Sequence, residues 1–231
     1  MTAAGVSVIV PTLNAAQTID ETLQSVLTEA ASVSQRVEVT VIDGGSTDGT
    51  IDRVATVHHE VRLVTQESKG LAAARNEAIA QATGPLVAFC DADDIWTAGS
   101  LRLRLSALER NPSAWGVTGR VRFVTRDGYS RARPSRRRAG EEHDGQTPGA
   151  LLIRRYVFDQ VTFDPYFSIA SDADWLIRAR HLFGPPVHLD DVVLEKGTRS
   201  GSLSTDVHRY RSEMMEVARR FVNEVRGTEQ R

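Results

Sequence analysis

The sequence predicts an α/β protein, with a mostly parallel, doubly wound central sheet and helices on both faces. Two observations carry that expectation. Over the first 94 residues, short β-branched runs alternate with apolar residues at helical spacing. Three of those runs then empty into polar stretches: Pro11-Thr12-Leu13-Asn14, Asp43-Gly44-Gly45 and Asp91-Ala92-Asp93. In an open parallel sheet, ligands bind outside the carboxyl ends of the strands, so these three ends are expected to form one rim.

Taken in order, Val6 to Val10 is a strand that Pro11 closes. Asn14 with Gln17 three residues on has the form of a capping box. Ile19, Leu23, Val26, Leu27 and Ala30 then recur at helical spacing. Val37, Val39, Val41 and Ile42 make a second strand, which runs into Asp43 and a glycine-rich turn. A short helix through Ile51 and Val54 leads to a strand over Val61 to Val64. Gly70 opens a helix from Leu71 to Gln81, and Gly84-Pro85 punctuates before the strand that ends at Asp91.

After Asp94 the pattern predicts a helix from about Gly99 to Glu109 and a longer strand from Trp115 to Val124. Regularity dissolves from Thr125 to Thr147, where Arg131, Arg133, Arg136, Arg137 and Arg138 crowd together. A charge run of this kind reads first as a solvated loop, then as a lid over an anion. Order resumes at Gly149 to Ile153. Ser171 starts a helix that stops at Gly184-Pro185, Val187 to Leu194 is a strand, and Arg199 to Ser204 is a polar loop. A final amphipathic helix covers about His208 to Val225.

Composition narrows the function. The 231 residues are 41% apolar and 25% charged with a formal net charge of −2, so nothing points to nucleic acid or an anionic membrane as partner. No apolar stretch approaches the roughly 20 residues of a membrane span. A single cysteine, Cys90, excludes an intramolecular disulfide and fits a small core residue in a reducing compartment. A cytoplasmic protein is expected, with any membrane contact peripheral; a homodimer is compatible with the sequence.

The chemistry concentrates where Leu86 to Cys90 meets Asp91-Ala92-Asp93-Asp94. Carboxylates at the end of a buried strand repel one another and resist desolvation, and a divalent cation would offset both costs. The turn after the first strand has no glycine, which excludes a dinucleotide-binding G-x-G-x-x-G unit there, and no P-loop is present. Asp43, beside Gly44 and Gly45, is suited to accept from a base N–H or a ribose hydroxyl, or to close an Asx turn.

Four blocks together resemble family 2 glycosyltransferases with the GT-A fold. They are Val8 to Asn14, Val41 to Thr50, Lys69-Gly70-Leu71-Ala72-Ala73-Ala74-Arg75-Asn76, and Asp91 to Asp94, in the family's order and spacing. The resemblance implies one GT-A domain over 1–231, Rossmann-like in its sheet. Within it, 6–124 would bind a nucleotide sugar, 125–148 would be a flexible Arg-rich loop, 149–204 would carry the acceptor side, and 205–231 a C-terminal helix. It implies a nucleoside-diphosphate-sugar donor, UDP favoured, contacted by Pro11, Thr12, Asn14, Asp43, Gly70, Arg75, Asp91 and Ala92. Asp93, with Asp91, would hold Mg²⁺ or Mn²⁺ on the diphosphate.

The same resemblance places a general base at Asp172, in Ser171-Asp172-Ala173-Asp174-Trp175, with Asp174 in reserve and Trp175 toward the acceptor. Two departures stand out: the usual preceding glutamate is Ser171, and the loop that commonly carries a histidine offers Arg199 instead. Those departures leave a non-catalytic nucleotide-sugar-binding relative as an alternative. A sugar-nucleotide pyrophosphorylase would need a glycine-rich basic loop after the first strand, which is missing. The expected reaction is inverting transfer of a sugar to a hydroxyl or similar nucleophile of a peptide, glycan or small molecule.

Overall fold

The structure, a computed structural model, describes residues 5–125, 140–198 and 206–229. The arginine-rich segment around Arg131 to Arg138 and the expected phosphate ligand Arg199 lie outside the described residues.

The first half follows the alternation in the sequence: β1 (Val6–Thr12), α1 (Ile19–Ala31), β2 (Val37–Asp43), α2 (Thr50–Val57), β3 (Arg62–Thr65), α3 (Leu71–Ala80) and β4 (Leu86–Phe89). The second half adds β5 (Ile95–Trp96), α4 (Ser100–Arg110), β6 (Gly116–Thr125), β7 (Glu142–Asp144), β8 (Leu151–Arg154), α5 (Ser171–Phe183), β9 (Val187–Thr198) and α6 (Val207–Glu229). The sheet order is β3-β2-β1-β4-β8-β6-β9-β5, with β7 on β6. β1 to β4 pair in parallel, β8 runs antiparallel to β4 and β6, and β6 and β9 are again parallel. The doubly wound part is therefore the first four strands, and mixed pairing begins at β8.

Both faces of β1 are covered, as its run of buried residues requires. Val8 and Val10 face Ile19, Leu23 and Val26 of α1, Val54 of α2 and the leucines of α4. Ile9 faces the other way, onto Ala72, Ala74 and Ala78 of α3 and Trp175, Leu176 and Ala179 of α5. Pro11 sits within β1 and is tolerated because β4 pairs only with Val6 to Ile9, so no β4 carbonyl needs its missing N–H.

Two strands carry no apolar run of strand length. β5 is two residues long. β7 is Glu142-His143-Asp144, held on β6 by ion pairs from Arg120 and Arg122 to Glu142 and by the edge of His143 on Phe123. β9 runs four residues beyond the expected Leu194, because β6 stays paired with it to Thr198. Lys196 and Gly197 thus belong to a strand and not to a loop.

Helix starts also differ from expectation. α1 begins at Ile19 with no side-chain cap. Asn14, at φ +49°, instead accepts from the Thr47 amide at 2.9 Å, and its own amide donates to Ser46 Oγ at 2.8 Å. It clips the loop after β1 to the loop after β2. The amides that lead into α4 and α5 are capped from neighbouring helices. Glu29 of α1 accepts from Gly99 and Leu101, and Glu213 of α6 accepts from Ile169 and Ala170 at 2.8 and 2.9 Å. These carboxylates do what local caps do elsewhere, satisfying orphan N–H groups. No described helix is long and apolar enough to cross a membrane.

Candidate active site

Parallel pairing puts the carboxyl ends of β1, β2 and β4 on one side, with Thr12 opposite Asp43 in register. The turn after β4 is tied down before any ligand arrives. The Asp94 amide donates to the Asp91 carbonyl at 2.9 Å, closing the turn. Thr18, just before α1, and Thr22 within it donate to the carbonyls of Ala92 and Asp94 at 2.7 and 2.8 Å. Gly197 of β9 backs onto the turn so closely that a Cβ there would lie 2.1 Å from the Asp93 carbonyl oxygen.

Arg75 is the centre of the rim. Its side chain is fully buried because α3 is lined with alanines small enough to sit close to the sheet. The guanidinium lies 5.2 Å from the Phe163 ring centre and 5.7 Å from that of Phe89. One arm donates to Asp91 Oδ1 at 2.9 Å and the other to Asp172 Oδ1. Burial opposes its charge, but Asp172 and then Asp91 outweigh burial and hold its pKa above the usual arginine value. A buried arginine can keep its charge only with such partners.

Lys196 makes a second bridge. Its ammonium donates to Asp91 Oδ2 at 3.1 Å and to the fully buried Asp94 Oδ2 at 2.9 Å, while the Gly197 amide holds Asp94 Oδ1 at 3.0 Å. Burial pushes the Asp94 carboxyl up to about 7 against the pull of Lys196. Burial also opposes ionisation of Asp91, yet Lys196 and Arg75 hold it well below the usual carboxylate range. Asp172, Arg75, Asp91, Lys196 and Asp94 form one chain of alternating charge.

These contacts redistribute the expected roles. Each oxygen of Asp91 already accepts one hydrogen bond, from Arg75 and from Lys196, so a metal shared with Asp93 would have to compete with two cations for it. Among the described residues, no group of three or more His, Cys, Asp or Glu side chains could hold a metal ion. A hard divalent cation in a nucleotide site often takes one or two carboxylates and fills its shell with substrate phosphate oxygens and water. Asp93 is partly exposed, as that arrangement requires, whereas Asp94 is fully buried.

Asp43 is buried and closes its own turn: Oδ2 accepts from the amides of Gly45 and Ser46 at 2.8 Å, and Oδ1 from the Ser46 hydroxyl. Three of its four acceptor positions are filled, which leaves one for a ligand. Thr12 turns its hydroxyl to the Val10 carbonyl at 3.1 Å. Pro11 and Ala92 are buried, and Gly70 supplies the left-handed φ of +97° that starts α3.

On the α5 side, Asp172 is a quarter exposed, and its Oδ2 takes no hydrogen bond from the described residues. Asp174 is turned away and paired with Arg178 of the next helical turn, which also donates to the Thr162 carbonyl at 2.9 Å. That pairing makes Asp174 a poor reserve base. Trp175 is fully buried, stacked on Phe163 and Phe158 at 5.2 and 5.4 Å, with its indole N–H on the Val161 carbonyl. It is a core residue, which corrects its placement toward an acceptor.

Lys196 is the rim residue that sequence reasoning missed. Its signal was a charged residue two positions past the apolar run Val192-Val193-Leu194, close to a strand's carboxyl end. A concavity of about 570 Å³ lined by Asp20, Glu21, Gln24, Val57, His58 and Trp96 shares no residue with the rim.

Residues 7–174 match the family model described as Glycosyl transferase family 2. Over 108 residues the chain is 38% identical to UDP-Glc:alpha-D-GlcNAc-diphosphoundecaprenol beta-1,3-glucosyltransferase WfgD of Escherichia coli. That match covers 46% of this chain and 42% of the relative, so the chain spans less than half its length. Among solved structures, S. aureus TarS 1-349 in complex with UDP-GlcNAc superposes at a TM-score of 0.66 with 22% identity, covering 87% of this chain and 61% of that one. Glucosyl-3-phosphoglycerate synthase from Mycobacterium tuberculosis, in complex with Mn²⁺, UDP-glucose and phosphoglyceric acid, gives 0.60 with 23% identity, covering 86% and 73%.

Proposed function

The chain belongs to glycosyl transferase family 2, and on that premise we propose that it moves a sugar from a nucleoside-diphosphate sugar to an acceptor hydroxyl or similar nucleophile, with inversion. UDP is the favoured donor nucleotide. The observation that carries this reading is the buried Arg75 guanidinium shared between Asp91 and Asp172. One rigid group ties the donor-side carboxylate to the carboxylate that meets the acceptor, so both substrates are held in a fixed relation.

In this reading the uridine and ribose lie along the ends of β1 and β2, with the remaining acceptor position of Asp43 facing a donor N–H or hydroxyl. Asn14 fixes the two loops against each other. Asp91 orients the sugar side of the donor. Asp93 would hold Mg²⁺ or Mn²⁺, which when bound would neutralise charge developing on the departing diphosphate. Asp172 acts as general base: Oδ1 is anchored by Arg75 and Oδ2 takes the acceptor proton, the geometry such a group needs. The acceptor oxygen then attacks the sugar carbon from the face opposite the diphosphate, which gives inversion.

A panel of UDP-, GDP- and TDP-sugars tested by thermal shift with and without Mn²⁺ checks the donor side. Stabilisation by one of them is expected. Stabilisation by none, with Mn²⁺ present, rejects the donor site. Asp172→Asn tests the base: transfer should fall by at least about 100-fold, the low end for loss of a general base, with donor binding retained. Retained transfer would leave this fold without the assigned base.

A further inference from the structure

We propose that Lys196 is a tethered counter-ion that keeps divalent cations out of the donor-free site, so that metal enters only together with the nucleotide. This regulation rests on the glycosyltransferase reading above. Asp91 and Asp94 turn one oxygen each toward a common point, and two carboxylates converging in this way would attract a free divalent cation. Here an ammonium already occupies the gap. Lys196 Nζ sits 3.1 Å from Asp91 Oδ2 and 2.9 Å from Asp94 Oδ2, using the oxygens a cation would need.

The placement is built into the fold. β9 stays paired with β6 through Lys196, opposite Phe123, and the missing side chain of Gly197 lets the strand press against the Asp93 carbonyl. The Gly197 amide and Lys196 ammonium hold the two oxygens of Asp94 from the same strand. Lys196 is therefore held by backbone pairing and by a fully buried partner, and it does not swing freely into solvent. A divalent ion beside Asp93 alone would face one carboxylate and a nearby ammonium of like charge. A nucleoside diphosphate changes both terms: it brings oxygen ligands and negative charge that offset the ammonium.

The test uses the full chain and follows free Mn²⁺ by its EPR signal, with Mn²⁺ alone and with Mn²⁺ plus UDP. Wild type should bind Mn²⁺ at least about tenfold more tightly when UDP is present. Lys196→Met should bind Mn²⁺ alone at least about tenfold more tightly than wild type, because Asp91 and Asp94 each regain an oxygen. Lys196→Arg keeps the cation and should behave as wild type. If Lys196→Met fails to fold because Asp94 loses its buried partner, Lys196→Gln carries the same test, since its amide can still donate to Asp94. Mn²⁺ alone should then raise the melting temperature of the neutral variant and not of wild type.

The proposal is overturned if wild type binds Mn²⁺ alone as tightly as with UDP, or if neither neutral variant gains affinity for Mn²⁺ alone. UDP binding to no form, with or without Mn²⁺, overturns the glycosyltransferase reading and the coupling to nucleotide. The Mn²⁺-alone comparison still reads the exclusion by Lys196 in that case, so the two failures are separable.

Discussion

Arg75 on α3 and Asp172 on α5 lie 97 residues apart in the chain and meet as an ion pair, with the arginine fully buried and the aspartate at its exposed edge. The same guanidinium reaches Asp91, so α3, α5 and the turn after β4 converge on one cation.

Arg75→Met should be strongly destabilising. It leaves Asp91 and Asp172 without their shared partner, a change that costs about 3–5 kcal/mol when a buried pair is broken. Arg75→Lys keeps the charge but cannot fork to both carboxylates. A thermal melt should rank wild type above Lys and Lys above Met, and UDP affinity should fall for both variants. Equal melting temperatures for wild type and Arg75→Met would contradict the bridging role.

Asp174→Asn separates the two aspartates of α5. Asp174 is paired with Arg178 and faces away from Arg75. Its loss should lower stability by about 0.5–1 kcal/mol, as for an i,i+4 ion pair, while transfer stays within a few-fold of wild type. A collapse of kcat at unchanged stability would make Asp174 the base.

Trp175→Ala should cost about 3–5 kcal/mol, the usual range for a large aromatic removed from a core. Trp175→Phe, which keeps contact with Phe158 and Phe163, should cost much less. A fold that survives should bind donor and acceptor normally, because Trp175 reaches neither. A raised acceptor KM in a stable Trp175→Phe variant would return this residue to the acceptor side.

Gly197→Ala places a methyl group 2.1 Å from the Asp93 carbonyl oxygen, so either β9 or the Asp91 to Asp94 turn must shift. Donor affinity is expected to drop by at least about tenfold, since sub-ångström positioning of charged groups governs such sites. Calorimetry with UDP and Mn²⁺ reads this directly. Unchanged affinity would show that the turn moves without consequence for the donor.

Glu213 predicts an acid limit. Burial opposes its ionisation, but Ser168, the Ala170 and Ile169 amides and Arg209 outweigh it and hold its pKa down to about 2, against 4.5 for an ordinary glutamate. The ionised form therefore favours the folded state. That stability is present above pH 4.5 and is lost as the pH falls toward 2. The melting temperature of wild type should decline through this window more steeply than that of Glu213→Gln. Parallel declines would mean that Glu213 does not clamp α6 onto the start of α5.

Much of this was legible in the chain. Periodicity gave β1 to β4 and their helices because short β-branched runs alternate with apolar residues at helical spacing. The carboxylates after β4 announced a rim because charge at the end of an apolar strand needs compensation. β7 was illegible, since cross-strand ion pairs and not apolar alternation hold it. Lys196 was passed over because its partners, Asp91 and Asp94, are more than a hundred residues away. Sequence by itself determined which strands end in carboxylates, because local patterning decides where a strand stops. Only the tertiary structure decided which of those carboxylates are already neutralised, since that depends on where Arg75 and Lys196 arrive from α3 and β9.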